Sequence, residues 1–142
     1  MTFTNSIVSC MGKYATFSGR AIRSEFWWFY LFTILLSWAA QITGAVVYPT
    51  APGQMPPIEA SVAYWLVSLA LLMPTLSVMT RRLHDIDRSG WWLLLILTGI
   101  GVILLIFWWA KDTQTSENRF GVNPKVAEII EGSIKTPITS QL

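Results

Sequence analysis

The sequence predicts an all-α, polytopic membrane protein with about three transmembrane helices and a short N-terminal interfacial helix. Two observations support this fold class. Hydrophobic residues make up 53% of the 142-residue chain and charged residues only 13%. In addition, segments 26–58, 60–80 and 89–110 contain no Asp, Glu, Lys or Arg. Each segment reaches the length of about 20 mostly apolar residues that a helix needs to cross the hydrocarbon core.

A soluble bundle of three buried helices is the competing interpretation of these apolar segments. Helices at the surface of a soluble protein carry a polar face that recurs at the helical period. The three segments show no such face. The sequence therefore favours helices that contact lipid.

Residues 1–25 are predicted to form a cytoplasmic interfacial segment. Its apolar residues recur at helix-like spacing: Phe3, Ile7, Val8, Met11 and Tyr14. Ser18 and Gly19 are expected to break this helix, and Ser24 with Glu25 provides an N-terminal start for the next one.

The transmembrane domain is predicted over residues 26–110, with spans at about 26–48, 60–80 and 91–110. For the first span a retained helix is favoured over a cleaved signal peptide, whose apolar region would be shorter and would normally begin closer to the N-terminus. The connection 49–57 holds four prolines and one glycine, which predicts a stiff extended loop. In the second span, Pro74 is expected to kink the helix.

The third apolar segment is bounded by two tryptophan pairs, Trp91-Trp92 and Trp108-Trp109, as expected where side chains lie at the head-group layer. Gly99-Ile100-Gly101 in its middle leaves two alternatives open. One is a single crossing helix, and the other is a re-entrant hairpin. A single crossing is favoured because lipid-exposed backbone at a hairpin tip is costly unless protein buries it.

The distribution of Lys and Arg predicts the orientation. Three precede the first span, none lies in the proline-rich loop, three lie in 81–90 and four follow Ala110. The positive-inside rule then places the N-terminus and 81–90 in the cytoplasm and the loop outside. A hairpin at 91–110 would place all ten basic residues in the cytoplasm. Residues 111–142 form a polar tail, with at most one short helix expected around Val126 to Glu131.

Three polar motifs, at 18–25, 81–90 and 117–124, predict an interaction cluster beside the membrane. In the simplest interpretation its arginines pair with the acidic residues and contact lipid phosphates. The cluster comprises Arg20, Arg23, Glu25, Arg81, Arg82, His84, Asp85, Asp87, Arg88, Asn118 and Arg119.

The sequence gives little support for a metal site, a cofactor site, a catalytic site or a nucleic-acid interface. His84, Asp85 and Asp87 are too few for a dedicated zinc site, and the neighbouring arginines would oppose a cation. No phosphate-binding loop, esterase elbow or Cys-x-x-Cys pair occurs, so we expect no cofactor and assign no catalytic residue. Cys10 is the only cysteine, which excludes an intrachain disulfide. A net charge of +2 is too small to suggest nucleic acid.

The motifs also carry a family resemblance. They read Phe17-Ser18-Gly19-Arg20-Ala21, Arg23-Ser24-Glu25-Phe26-Trp27, Arg81-Arg82-Leu83-His84-Asp85, Arg88-Ser89-Gly90-Trp91-Trp92 and Asn118-Arg119-Phe120-Gly121. In this order and spacing the chain closely resembles, over about 14–125, the bacterial inner-membrane family catalogued as domain of unknown function 805, the YhaH and YhaI type. The resemblance implies a bacterial cytoplasmic membrane location and a compact helical architecture. It implies no established activity.

The leading functional hypothesis is a non-enzymatic inner-membrane protein whose basic cytoplasmic face binds anionic lipid or a partner protein. That face would comprise Arg20, Arg23, Arg81, Arg82 and Arg88. One alternative is a membrane enzyme that acts on a lipid or amphiphile, with His84 and Asp85 as acid/base groups. Another is a small subunit of a transport or envelope complex. The predicted spans contain no Asp, Glu, Lys, Arg or His, which argues against a self-contained transporter.

Overall fold

A computed structural model describes residues 1–126 and 129–130. Within these residues the protein is helical and has no β-strand, which confirms the all-α fold class. The elements are α1 (Phe3–Gly12), α2 (Arg23–Val47), α3 (Ile58–Asp85), a 3₁₀ helix (Gly90–Thr98) and α4 (Gly101–Ala110). The chain folds as two compact units. The first unit takes residues 1–16 and 24–78, and the second takes residues 17–23 and the described residues from Met79 onward.

The first unit begins with α1, as the spacing of apolar residues predicts. Thr2 caps this helix, since its side chain accepts a hydrogen bond from the Asn5 backbone N–H. The helix ends at Gly12, well before the predicted break at Ser18 and Gly19. Tyr14 therefore lies beyond the helix, where its hydroxyl donates to the carbonyl of Ala70 on α3.

The two long helices, α2 and α3, are long and apolar enough to cross a membrane. In the apolar 18-residue stretch of α2 only 11% of the residues are buried, and in that of α3 only 22% are buried. Core helices of soluble proteins bury most of such a window, so this exposure fits helices that contact lipid. Within the first unit, α2 and α3 approach closely at Gly44, where a Cβ atom would overlap the backbone of Ala60.

Helix α3 continues to Asp85, five residues beyond the predicted end at Thr80. It passes through Pro74, which is fully buried. The continuation has a consequence for function, because Arg81, Arg82 and Asp85 lie on the last helical turns rather than in a loop.

The second unit contains a hairpin over residues 90–110. Its legs are the 3₁₀ helix and α4, and the rings of Trp92 and Trp108 meet edge to face at 5.3 Å. Gly99 turns the chain with a φ of 68°, and a Cβ atom at Gly101 would overlap Leu95. The segment thus forms two packed helical legs joined at Gly99 instead of one continuous helix.

The chain after α4 packs into the second unit without regular structure over most of residues 111–123, with a turn closed by Asn118 and Gly121. Residues 124–126 and 129–130 are helical. Much of the short helix expected around Val126 to Glu131, and the rest of the tail, lies outside the described residues.

Candidate interaction site

The second unit brings together ten of the eleven residues of the predicted interaction cluster. The end of α3 supplies Arg81, Arg82, His84 and Asp85, and the turn that follows supplies Asp87 and Arg88. The segment 17–23 docks beside this helix end, where the Ala21 backbone N–H donates to the carbonyl of Arg81 at 3.0 Å. The third motif lies after the hairpin and contributes Asn118 and Arg119.

Asp85 lies at the centre of this arrangement and is fully buried. Arg20 Nε donates to Oδ1 at 3.0 Å, and Arg82 Nη1 donates to Oδ2. A buried carboxylate requires such partners because an unpaired charge away from water is strongly unfavourable. We call Arg20, Arg82 and Asp85 the arginine cluster.

The remaining donors of the two arginines bind backbone carbonyls after the hairpin. Arg20 donates to Gln114 at 2.6 Å, to Ser116 at 2.9 Å and to Gly121 at 3.1 Å. Arg82 donates to Trp109 at 3.1 Å and also to Lys111. Arginine suits this task because its planar guanidinium offers several N–H donors in a rigid fork. Through these hydrogen bonds, the arginine cluster holds residues 109–121 against the end of α3.

His84 adds a second attachment. Its Nδ1 lies 3.2 Å from the Gly19 carbonyl, and its backbone carbonyl accepts from Asn118 Nδ2 at 2.9 Å. The imidazole is stacked on Phe120 with the ring centroids 3.8 Å apart and the planes almost parallel. All three polar motifs thus meet at His84.

The charged side chains at the surface of this unit form weaker pairs. Arg119 Nε donates to Asp87 at 3.0 Å, and Arg23 Nη1 donates to Asp112 at 2.8 Å. The Arg23 guanidinium, through this hydrogen bond and its charge, holds the pKa of the Asp112 carboxyl below its usual value. Both pairs are solvent-exposed, so each contributes little to stability.

Arg88 anchors the base of the hairpin by a different contact. Its guanidinium carbon lies 4.6 Å from the ring centre of Trp108 and 5.7 Å from that of Trp92. Such cation–π contacts are favourable, most of all where the charge is partly desolvated.

Glu25 is the predicted cluster residue that lies in the first unit. There it is buried and accepts hydrogen bonds from Ser9 Oγ at 3.0 Å and from Cys10 Sγ at 3.7 Å. Cys10, the one cysteine in the sequence, is also buried.

The geometry modifies two expectations from the sequence. Arg20, Arg81 and Arg82 are buried rather than displayed on a basic surface. Asp85 is fully buried and has both carboxylate oxygens bonded to arginines, so neither oxygen is open to a substrate. Within the described residues, no three His, Cys, Asp or Glu side chains gather as a metal-binding set.

Sequence reasoning missed the backbone carbonyls of Gln114 and Ser116 as partners of Arg20. Carbonyl groups occur at every residue and leave no signal in a sequence. The contact of Phe120 with His84 could have been suspected, since Phe120 stands within the Asn118 to Gly121 motif.

Comparison with known proteins gives one family match and several relatives. A family model described as "Protein of unknown function (DUF805)" matches residues 14–122. The inner membrane protein YhaH of Escherichia coli K12 is 33% identical over 116 residues, which cover 80% of this chain and 91% of that protein. The inner membrane protein YhaI of the same strain is 32% identical over 119 residues, 83% of this chain and 93% of that protein. No solved structure matches the chain.

Proposed function

Because this chain belongs to the DUF805 family, whose relatives YhaH and YhaI are named inner membrane proteins, we propose that it is a multi-pass inner membrane protein with a cytoplasmic N-terminus. In this proposal α2 and α3 cross the membrane, and the hairpin enters it only part of the way. The end of α3 and the chain after the hairpin then share the cytoplasmic side.

The length of the hairpin legs supports a partial entry. The 3₁₀ helix has nine residues and α4 has ten. At about 2.0 and 1.5 Å per residue, neither reaches the roughly 30 Å of the hydrocarbon core. The arginine cluster supports the same conclusion, because it joins the end of α3 directly to the carbonyls of residues 109–121. Two segments in contact lie on one side of the membrane.

We further propose that the cytoplasmic surface of the second unit binds anionic lipid head groups. Among the described residues of this unit, accessible basic side chains outnumber exposed acidic ones. The basic side chains are the exposed Arg23, Lys111, Arg119 and Lys125 and the half-buried Arg88. The exposed acidic side chains are Asp87, Asp112 and Glu117. Each basic side chain near an anionic membrane surface contributes about 1 kcal/mol to binding. The buried arginine cluster would hold this surface together rather than contact lipid itself.

The observation that carries the lipid proposal is the position of Lys111, directly after α4 and at the foot of the hairpin, where head groups would lie. Its ammonium is 5.2 Å from the ring centre of Phe107, so the charge stays next to the apolar hairpin. This arrangement of a cation beside an aromatic ring is typical of side chains at a membrane interface.

The lipid proposal is tested with the combined variant Lys111→Gln, Arg119→Gln and Lys125→Gln. The full chain is extracted from membranes containing phosphatidylglycerol and phosphatidylethanolamine, and native mass spectrometry counts the lipids retained. We expect the preference for phosphatidylglycerol to fall by about fivefold for each charge removed. The matched control is Lys111→Arg with Lys125→Arg, which keeps both charges and should keep the preference.

An unchanged preference in the glutamine variant would contradict the lipid proposal. If that variant instead lost a stoichiometric protein that co-purifies with the wild type, the surface would serve a protein partner. That outcome would support the alternative of a subunit in a membrane complex.

A further inference from the structure

An open groove of about 480 Å³ lies beside His84 in the second unit. The end of α3, the start of the 3₁₀ helix and Phe17 line it. Its polar side chains are Thr80, His84 and Ser89, and its apolar ones include Phe17, Trp91 and Leu94. The volume falls within the range of small-molecule sites, about 300–1,000 Å³. None of the three residues of the arginine cluster lines this groove, so it is separate from the contacts described above.

His84 offers a hydrogen-bond acceptor to a ligand in the groove. Since a carbonyl oxygen can only accept, the contact with Gly19 requires a proton on Nδ1. In the neutral ring, Nε2 is then an acceptor. Among residues 1–126 and 129–130, no hydrogen bond to Nε2 is present, although the side chain lines the groove and the residue is only 9% exposed.

Ser89 offers a complementary donor. Its Oγ accepts a hydrogen bond from the Trp91 backbone N–H at 3.4 Å, as an N-cap of the 3₁₀ helix. The hydroxyl proton remains free to donate, and in the described part of the chain it has no acceptor. One acceptor and one donor in the same groove match a hydroxyl group, which both donates and accepts.

The apolar walls indicate where such a ligand comes from. Among the lining residues, Trp91 is 80% exposed and Leu94 is 57% exposed. Exposed apolar surface of this kind marks a protein or membrane interaction site, and here it belongs to the hairpin that is proposed to lie in lipid. None of the lining residues carries a carboxylate, ammonium or guanidinium group, so the groove is not built for a charged head group.

We propose that this groove binds an uncharged lipid with a free hydroxyl head group, such as a monoacylglycerol. The hydroxyl donates to His84 Nε2 and accepts from Ser89 Oγ, while the acyl chain lies along Trp91 and Leu94. The proposal rests on the hairpin lying in lipid and is independent of the charged surface described above.

The test uses the full-length protein in nanodiscs and a monooleoylglycerol analogue with a photoactivatable diazirine in its acyl chain. Mass spectrometry of the peptides should find the label concentrated at 84–94. Monooleoylglycerol should compete about tenfold better than methyl oleate, which has the chain but no hydroxyl. Equal competition by methyl oleate, stronger competition by oleate, or label spread evenly over α2 and α3 would overturn the proposal.

Two variants locate the site. His84→Asn keeps an amide that can donate to Gly19 but removes the Nε2 acceptor, and it should weaken binding about tenfold. Leu94→Trp narrows the groove and should also reduce labelling, whereas Leu97→Trp, outside the groove, should not. If His84→Asn does not fold, the pair of tryptophan variants decides, and equal labelling in both would overturn the proposal.

The two lipid proposals can fail separately. The variant with glutamine at 111, 119 and 125 should retain wild-type affinity for monooleoylglycerol, because none of these residues lines the groove. If that variant lost both its preference for phosphatidylglycerol and its affinity for monooleoylglycerol, the two sites would not be independent.

Discussion

At the scale of single residues, the arginines differ more than their sequence suggests. Arg20 and Arg82 are buried, and each donates hydrogen bonds to Asp85 and to several backbone carbonyls. Arg23 and Arg119 instead remain at the surface, where each forms a weak ion pair. The sequence predicted that these residues cluster, because their motifs flank apolar segments. It could not predict which arginines are buried, since burial depends on how the chain after the hairpin folds back.

Replacing Asp85 by Asn tests the arginine cluster. The variant leaves two buried guanidinium groups without their carboxylate, which costs about 3–5 kcal/mol when a buried pair is broken. Thermal unfolding in mild detergent should show a large loss of stability. The control is Asp87→Asn, which removes an exposed partner of Arg119 and should cost less than about 1 kcal/mol. Equal stability of the two variants would contradict the central place of Asp85.

At the scale of elements, the sequence predicted α2 closely and α3 in part. The apolar run of α2 ends at helix-breaking Pro49, and its observed bounds lie within three residues of the predicted 26–48. The end of α3 was placed at Thr80 because charged residues follow. The structure extends α3 to Asp85, since Arg82 and Asp85 find buried partners in the second unit.

The hairpin shows where sequence reasoning reaches its limit. Gly99 and Gly101 marked the break correctly and kept the hairpin among the alternatives. A single helix was favoured because backbone at a hairpin tip is costly in lipid, and that argument took no account of contacts at the foot of the hairpin. The contacts of Arg82 with Trp109 and of Arg88 with Trp108 stabilise the foot of the hairpin, and no periodicity reveals such contacts.

Substitution of Gly101 by Ala tests the packing of the hairpin. The added methyl group would overlap the Leu95 carbonyl, so the two legs must separate. Overpacking of this kind costs about 1–3 kcal/mol. Chemical denaturation followed by tryptophan fluorescence should detect the loss, because Trp92 and Trp108 meet between the legs. Gly12→Ala, where a Cβ atom meets nothing within 4 Å, is the control and should be neutral. Equal effects would contradict the observed packing.

At the level of the whole molecule, the proposed side of the C-terminal tail rests on contacts within the second unit. The end of α3 and residues 109–121 are joined by buried hydrogen bonds. With the hairpin entering only part of the membrane, all ten basic residues of the sequence would lie on the cytoplasmic side. Only the proline-rich loop, which carries no Lys or Arg, would face outward.

The most direct measurement fuses reporters to the chain after Leu142. One reporter is a fluorescent protein active only in the cytoplasm, and the other is a phosphatase active only outside it. Fusions after Gln54 in the proline-rich loop serve as the external control. We predict a fluorescent, phosphatase-negative C-terminus and a phosphatase-positive loop. An active phosphatase after Leu142 would place the tail outside and contradict a cytoplasmic surface shared by the end of α3 and the tail. Both the partial entry of the hairpin and the proposed binding of anionic lipid depend on that surface.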